Sequence, residues 1–229
     1  MLNQIQTPPE KTPIQLAFSS KYSKAHAIDY FTKHQQGIAR RFTTWRETQL
    51  ARKALKTAGN PQSILDLPCG AGRFWQLLAA DHKRTLLAAD NSEHMIEVAK
   101  TLQPPAIAER FTAFKSSAFA IKLANEAVDN IFCIRLLHHI EAHEHRLAIL
   151  QEFYRVTRDT VILSLWVDGN FKAWRRRKSE ATGRHTQHNR FLIPTATIEA
   201  EFKEVGFNIV AHHDFLPKYA MWRIYVLRK

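Results

Sequence analysis

The sequence predicts an α/β fold. Its centre is a doubly wound, mostly parallel sheet of seven strands with the last strand antiparallel, preceded by an N-terminal helical cap. Three observations predict it. Strand-length apolar runs alternate with amphipathic helical stretches from about residue 62 onward, which calls for a parallel sheet with helices on both faces. Ile64–Phe74 reads as a buried strand, a tight glycine turn and a helix start; two of the chain's seven glycines, Gly70 and Gly72, fall there within three residues. The final two strand-like runs have no crossover helix between them, so that pair is antiparallel.

Taken in order, residues 1–20 hold Pro8, Pro9 and Pro13 among polar residues and read as a poorly ordered tail. Residues 21–60 form the cap. Its first helix spans about Lys21–Gly37, with Tyr22, His26, Tyr30 and Phe31. Its second spans Ile38–Ala58, with Ile38, Phe42 and Trp45 at i, i+4, i+7 and later Leu55, ended by Gly59 and Pro61. Residues 61–229 form the α/β domain. Ser63–Leu67 is the first strand, and Arg73–Ala80 is a helix with Phe74, Leu77 and Leu78 inward. Thr85–Ala89 is a strand ending at Asp90. Ser92–Leu102 is a helix that Ser92 can cap. Phe111–Lys115 is a third strand, and Ala127–Leu136 contains the apolar run of a fully buried one. Glu144–Val156 is a helix with Leu147, Leu150, Phe153 and Tyr154 inward, and Val161–Trp166 a fifth strand. Residues 168–190 read as a polar, basic insert. Thr195–Val205 is a helix ended by Gly206, and Phe207–Phe215 and Met221–Leu227 are the last two strands.

The 229 residues carry a net charge of +12, unevenly spread. Residues 1–60 hold ten Lys/Arg against three acids, and residues 170–190 seven against one, whereas residues 61–169 hold eleven against thirteen. Two basic segments therefore flank a near-neutral middle, an arrangement that either serves solubility alone or favours an anionic partner at a site between them. The two cysteines, Cys69 and Cys133, form no disulfide framework and fit a reducing cytosol, so a cytoplasmic location is expected. The N-terminal stretch lacks the apolar run of a signal peptide, and no run reaches the roughly 20 apolar residues of a membrane helix.

The glycine turn excludes a dinucleotide. A pyrophosphate site needs a third glycine where Trp75 stands, and Asp66 on the strand repels phosphate. The spacing Asp66-x-x-x-Gly70-x-Gly72 instead resembles the first motif of class I S-adenosylmethionine-dependent methyltransferases, with Pro68 standing at the first glycine and removing one backbone donor. Asp90, eighteen residues after Gly72, matches that family's ribose-binding acid, and Asn91 and Met95 follow where an adenine pocket is lined. Ser117, with Ala118 and Phe119, stands where the family carries an adenine-binding acid. Val128–Ile140 resembles the fourth strand and its Leu-His-His sequel.

The resemblance implies a Rossmann-like fold, S-adenosylmethionine as cofactor and methyl transfer as activity. It implies a cofactor site of Asp66, Pro68, Cys69, Gly70, Ala71, Gly72, Arg73, Phe74, Asp90, Asn91, Met95, Ser117, Ala118, Phe119, Arg135 and Leu136. His138 and His139 are the candidate catalytic bases. His139, His143 and His145 lack the further ligands of a recognisable metal set, and no metal is expected. The wording Leu67–Trp75 also resembles bacterial methyltransferases linked to kinase-like proteins of lipopolysaccharide assembly. The expected acceptor is an oxygen or nitrogen of an anionic small molecule, glycan or lipid. The alternatives are a non-catalytic S-adenosylmethionine-binding module and an RNA methyltransferase. The basic run Arg175–Lys178, with Arg184, His185, His188 and Arg190, is expected either to meet an anionic acceptor or to form a solvated face.

Overall fold

The computed structural model describes residues 37–182 and 189–229. The expected tail and the first cap helix, apart from Gly37, lie outside the described residues, with Tyr22 and Tyr30; so do Arg184, His185 and His188.

Seven strands form one sheet: β1 Ser63–Asp66, β2 Thr85–Asp90, β3 Phe111–Lys115, β4 Val128–Cys133, β5 Thr157–Trp166, β6 Asn208–Asp214 and β7 Trp222–Arg228. Their order is β3-β2-β1-β4-β5-β7-β6. β7 runs antiparallel to both β5 and β6, and the other pairs are parallel.

Side chains alternate between two cores, as the pleat requires. Leu65, Ile131, Cys133, Val161, Leu163 and Leu165 face α5 (His143–Val156) and α7 (Thr195–Val205). Ile64, Phe132, Ile134, Ile162, Ile224 and Val226 face α1 (Ile38–Thr57), α2 (Trp75–Leu78) and α3 (Glu93–Leu102). A short α4 (Pro105–Ala108) leads into β3, and α6 (Phe171–Ala181) follows β5.

Several expectations shift. In α1 the buried face is Leu50, Ala51, Ala54 and Leu55; Phe42 and Trp45 are half exposed, at 50% and 54%, and pack on each other 5.7 Å apart. In the first half of α1, Thr43 and Glu47 turn inward instead, toward a cavity described below, while Arg40 and Arg41 are exposed. The helix after the glycine turn is confined to Trp75–Leu78, because tight turns occupy the residues before it. Trp75 is fully buried there, stacked on Phe111 at 4.2 Å. Ser92 supplies no side-chain cap to α3; its N–H is taken by Asp90 Oδ1 at 2.9 Å. In α5, Ile149 is buried and Leu147 is not, because Arg146 takes an inward position and pairs with the buried Glu201 of α7. The basic insert contains α6, whose N-terminus Asn170 caps by accepting the Ala173 N–H at 3.0 Å.

Candidate active site

The strand order reverses between β1 and β4, and ligands of doubly wound sheets bind outside the carboxyl ends of the strands at such a switch point. A cavity of about 620 Å³ lies there. Of the sequence-predicted residues it gathers Pro68, Cys69, Gly70, Ala71, Arg73, Phe74, Asp90, Asn91, Met95, Ser117, Ala118, Phe119, Arg135, Leu136, His138 and His139. Asp66 and Gly72 do not line it.

The glycine-turn end is built from backbone and one carboxylate. The Leu67–Pro68 peptide bond is cis. Gly70 has φ 52° and directs its N–H to Asp90 Oδ2 at 3.0 Å. Asp90 ends β2 and is 8% exposed. Burial pushes its pKa up to about 6, although the N–H groups of Ser92, Gly70 and Asn91 pull it down.

Gly72 serves packing rather than ligand contact. At its φ of 73° an added Cβ meets Trp75 Cδ2 at 2.9 Å and Gln103 Cγ at 3.0 Å. Gln103 in turn donates to the Ala71 carbonyl at 3.1 Å. Asp66 lies behind the turn, where burial drives its carboxyl well above the usual range and the nearby Asp90 charge pushes the same way. Burial likewise raises the Cys69 thiol, so it is no thiolate nucleophile.

The middle of the cavity is held by a residue that the sequence reading missed. Glu47 of α1 has a side chain only 4% exposed. Its Oε2 meets Arg73 Nη2 at 2.5 Å and its Oε1 meets Arg135 Nη2 at 2.6 Å. One acid thus ties the glycine turn and the β4 edge to the helix above them. Glu47 is the lone acid among six basic residues in Ile38–Thr57, which was a readable signal. Arg135 has φ 71°, and Ser164 Oγ accepts its N–H at 2.9 Å.

The far end is aromatic and basic. His138 is 3% exposed, stacks on Trp166 at 5.3 Å and meets Trp222 edge-on at 5.1 Å. Trp166 and Trp222 are register partners on β5 and β7. The guanidinium of Arg135 lies 5.3 Å from the Trp222 ring centroid, and that of Arg190 lies 5.6 Å from the Trp166 centroid. Burial drives the His138 imidazole well below its ordinary pKa, and the charges of His139, Arg190 and Arg135 push further. Burial also lowers His139, whose Nδ1 meets the Asn189 carbonyl. Both rings are therefore held toward their neutral form. Arg190, one of the basic residues expected near an acceptor, lines this end; Trp166, Trp222 and Lys172 line it without having been assigned to the site.

The basic run divides on inspection. Arg176 pairs with Glu180 at 2.7 Å and the exposed Arg177 with Asp168 at 2.9 Å, whereas the exposed Arg175 and Lys178 form no ion pair among the described residues. Among the described residues, no group of three or more His, Cys, Asp or Glu gathers to hold a metal, and no helix is long and apolar enough to cross a membrane.

Residues 64–160 match the family described as methyltransferase domain. Over 151 residues the chain is 24% identical to a tRNA (carboxymethyluridine(34)-5-O)-methyltransferase of Macaca fascicularis, covering 65% of this chain and 21% of that protein. An uncharacterised methyltransferase-like protein of Schizosaccharomyces pombe is 28% identical over 124 residues, covering 53% of this chain and 45% of that one. The chain thus spans about a fifth of the first relative and under half of the second. Magnesium protoporphyrin IX methyltransferase of Synechocystis PCC 6803, solved with bound SAH, superposes with a TM-score of 0.72 at 17% identity, over 90% of this chain and 95% of that one. At that identity the likeness is one of fold.

Proposed function

We propose that this chain is a class I S-adenosylmethionine-dependent methyltransferase and that it transfers a methyl group to an oxygen or nitrogen of an anionic small-molecule, glycan or lipid acceptor. One observation carries the reading. A single cavity joins a buried carboxylate and glycine turn at one end to a cationic, aromatic end at the other.

The residues fit the donor. Asp90 presents two buried oxygens to the cavity and already accepts two backbone N–H groups, so it suits ribose hydroxyls. The backbone of Cys69–Ala71 frames the methionine part, and Met95 with Ser117–Phe119 flanks the adenine. When bound, S-adenosylmethionine supplies a methyl carbon already activated by its sulfonium. The chain's task is then alignment, which supplies roughly 7–11 kcal/mol in well-oriented systems. Glu47 holds Arg73 and Arg135 in place for it, and the α1 cap covers the cavity with Thr43 and Glu47 rather than with Trp45.

Calorimetry tests the donor. S-adenosylmethionine or its demethylated product binds with micromolar-range affinity, and Asp90→Ala abolishes binding. Preference for a nicotinamide dinucleotide refutes the assignment. Turnover of labelled donor separates an enzyme from a non-catalytic binding module.

One surface favours RNA as a second reading of the acceptor. Phe171, Trp174 and Tyr219 are about half exposed, with Lys172 over Tyr219 at 5.3 Å and Lys178 over Trp174 at 5.5 Å. Such basic-aromatic faces suit unstacked bases, and the Macaca relative is named for a tRNA. Affinity for single-stranded RNA that falls steeply with salt supports it; salt-independent or absent binding removes it.

A further inference from the structure

The acceptor end of the cavity carries a charge pattern that selects among nucleophiles. The acids on the cavity wall, among the described residues, are Glu47 and Asp90. Glu47 is engaged by two guanidiniums at once, and Asp90 sits at the opposite, glycine-turn end. Lys172 and Arg190 line the acceptor end, and among the described residues neither has a carboxylate within ion-pair distance. Arg190 rests against the Trp166 ring and Lys172 against Tyr219. A ring face positions a cation without neutralising it. The acceptor end is therefore net positive.

His138 is the buried imidazole at this end, and among the described residues its Nδ1 has no hydrogen-bond partner. A histidine that acts as base needs its cationic form stabilised, usually by a carboxylate on the other ring nitrogen. Here a proton taken by His138 adds a charge beside Arg135 and Arg190. This end is poorly built to remove a proton from an alcohol or an ammonium. It is well built for an acceptor that arrives ionised.

We propose that the acceptor group is a carboxylate, held by Lys172 and Arg190 and converted to a methyl ester without a general base. The inference rests on the methyltransferase reading. A carboxylate oxygen lone pair forms the new C–O bond to the methyl carbon as the C–S bond breaks. That bonding pair stays on sulfur, giving the neutral thioether of S-adenosylhomocysteine. One negative and one positive charge cancel, and no proton moves.

Two experiments test it. In the first, the protein is saturated with S-adenosylhomocysteine and titrated with phenylacetate and with phenylacetamide. The acid binds at least tenfold tighter than its neutral amide, and Arg190→Ala combined with Lys172→Ala removes the difference while leaving S-adenosylhomocysteine affinity unchanged. Equal affinity for acid and amide, or binding of neither, overturns the inference. In the second, protein and methyl-labelled donor are incubated with cell extract, and the product is treated with dilute alkali. Release of the label as volatile methanol marks an ester and supports the proposal. Alkali-stable label overturns it but leaves methyl transfer standing. Intact donor binding with no labelled product overturns the enzyme reading and this inference together.

Discussion

Asp90 makes donor binding sensitive to acid. Its carboxyl has a pKa of about 6 in the free protein, raised above the ordinary 3.8 chiefly by burial. Ribose hydroxyls donate to the ionised form, so protonation competes with binding. Apparent affinity falls by 1 + 10^(pKa − pH), a factor of about 11 at pH 5 against about 1 at pH 7.5. The expected loss is therefore about tenfold, ~1.4 kcal/mol. The sign for stability is opposite to that of a salt-bridged acid. A raised acid pKa costs nothing below the unfolded value and costs progressively more as pH rises from about 4 through about 6. The cost reaches ~3 kcal/mol at neutrality. Calorimetry with S-adenosylhomocysteine at pH 7.5, 6 and 5 reads the first effect, and thermal melts of the ligand-free protein read the second. Asp90→Asn should bind weakly at every pH and lose both pH slopes, whatever the cost of setting its amide group against one of the two backbone N–H donors. Wild-type affinity that stays flat down to pH 5, or an unchanged slope in Asp90→Asn, refutes the reasoning.

Three further expectations follow from the geometry. Glu47→Gln leaves Arg73 and Arg135 without their shared carboxylate; partial exposure of Arg135 lowers the usual cost of ~3–5 kcal/mol to ~2–3 kcal/mol, and a chemical denaturation loss under ~0.5 kcal/mol contradicts the bridge. Gly72→Ala combines left-handed strain with a clash against Trp75 and costs over ~2 kcal/mol. Gly70→Ala meets no neighbour and costs ~1–2 kcal/mol of strain alone, so equal losses in the two melts refute the packing role of Gly72. His138→Gln retains kcat within about tenfold, whereas a general base loses roughly 10²–10⁴; single-turnover rates on folded protein distinguish the two.

The sheet was legible because its strands are short apolar runs separated by helical periods, and such patterns survive without tertiary information. The glycine turn and Asp90 were legible for a related reason: each sits at a fixed offset from a strand end. Glu47 was not, because its role depends on a helix packing over a turn 26 residues later. Phe42 and Trp45 misled because helical spacing marks a face without saying what that face meets. Ile149 was passed over for Leu147 because a buried Arg146–Glu201 pair rotates the inward stripe, and a charged residue does not announce burial. A Leu-His-His run places two imidazoles at the strand end but says nothing of the cations that the fold sets around them.

The position of β7 makes the two ends of the cavity depend on different pairings of the sheet. β1 to β4 pair with one another in parallel and complete the donor end without β7. Trp222, by contrast, reaches the cavity only when β7 has inserted between β5 and β6, strands that do not pair with each other. The acceptor end therefore hangs on the register of β7. A slip of one residue against β5 turns Trp222 to the opposite face of the sheet and takes the wall from His138 and Arg135, while the donor end keeps every pairing of its own.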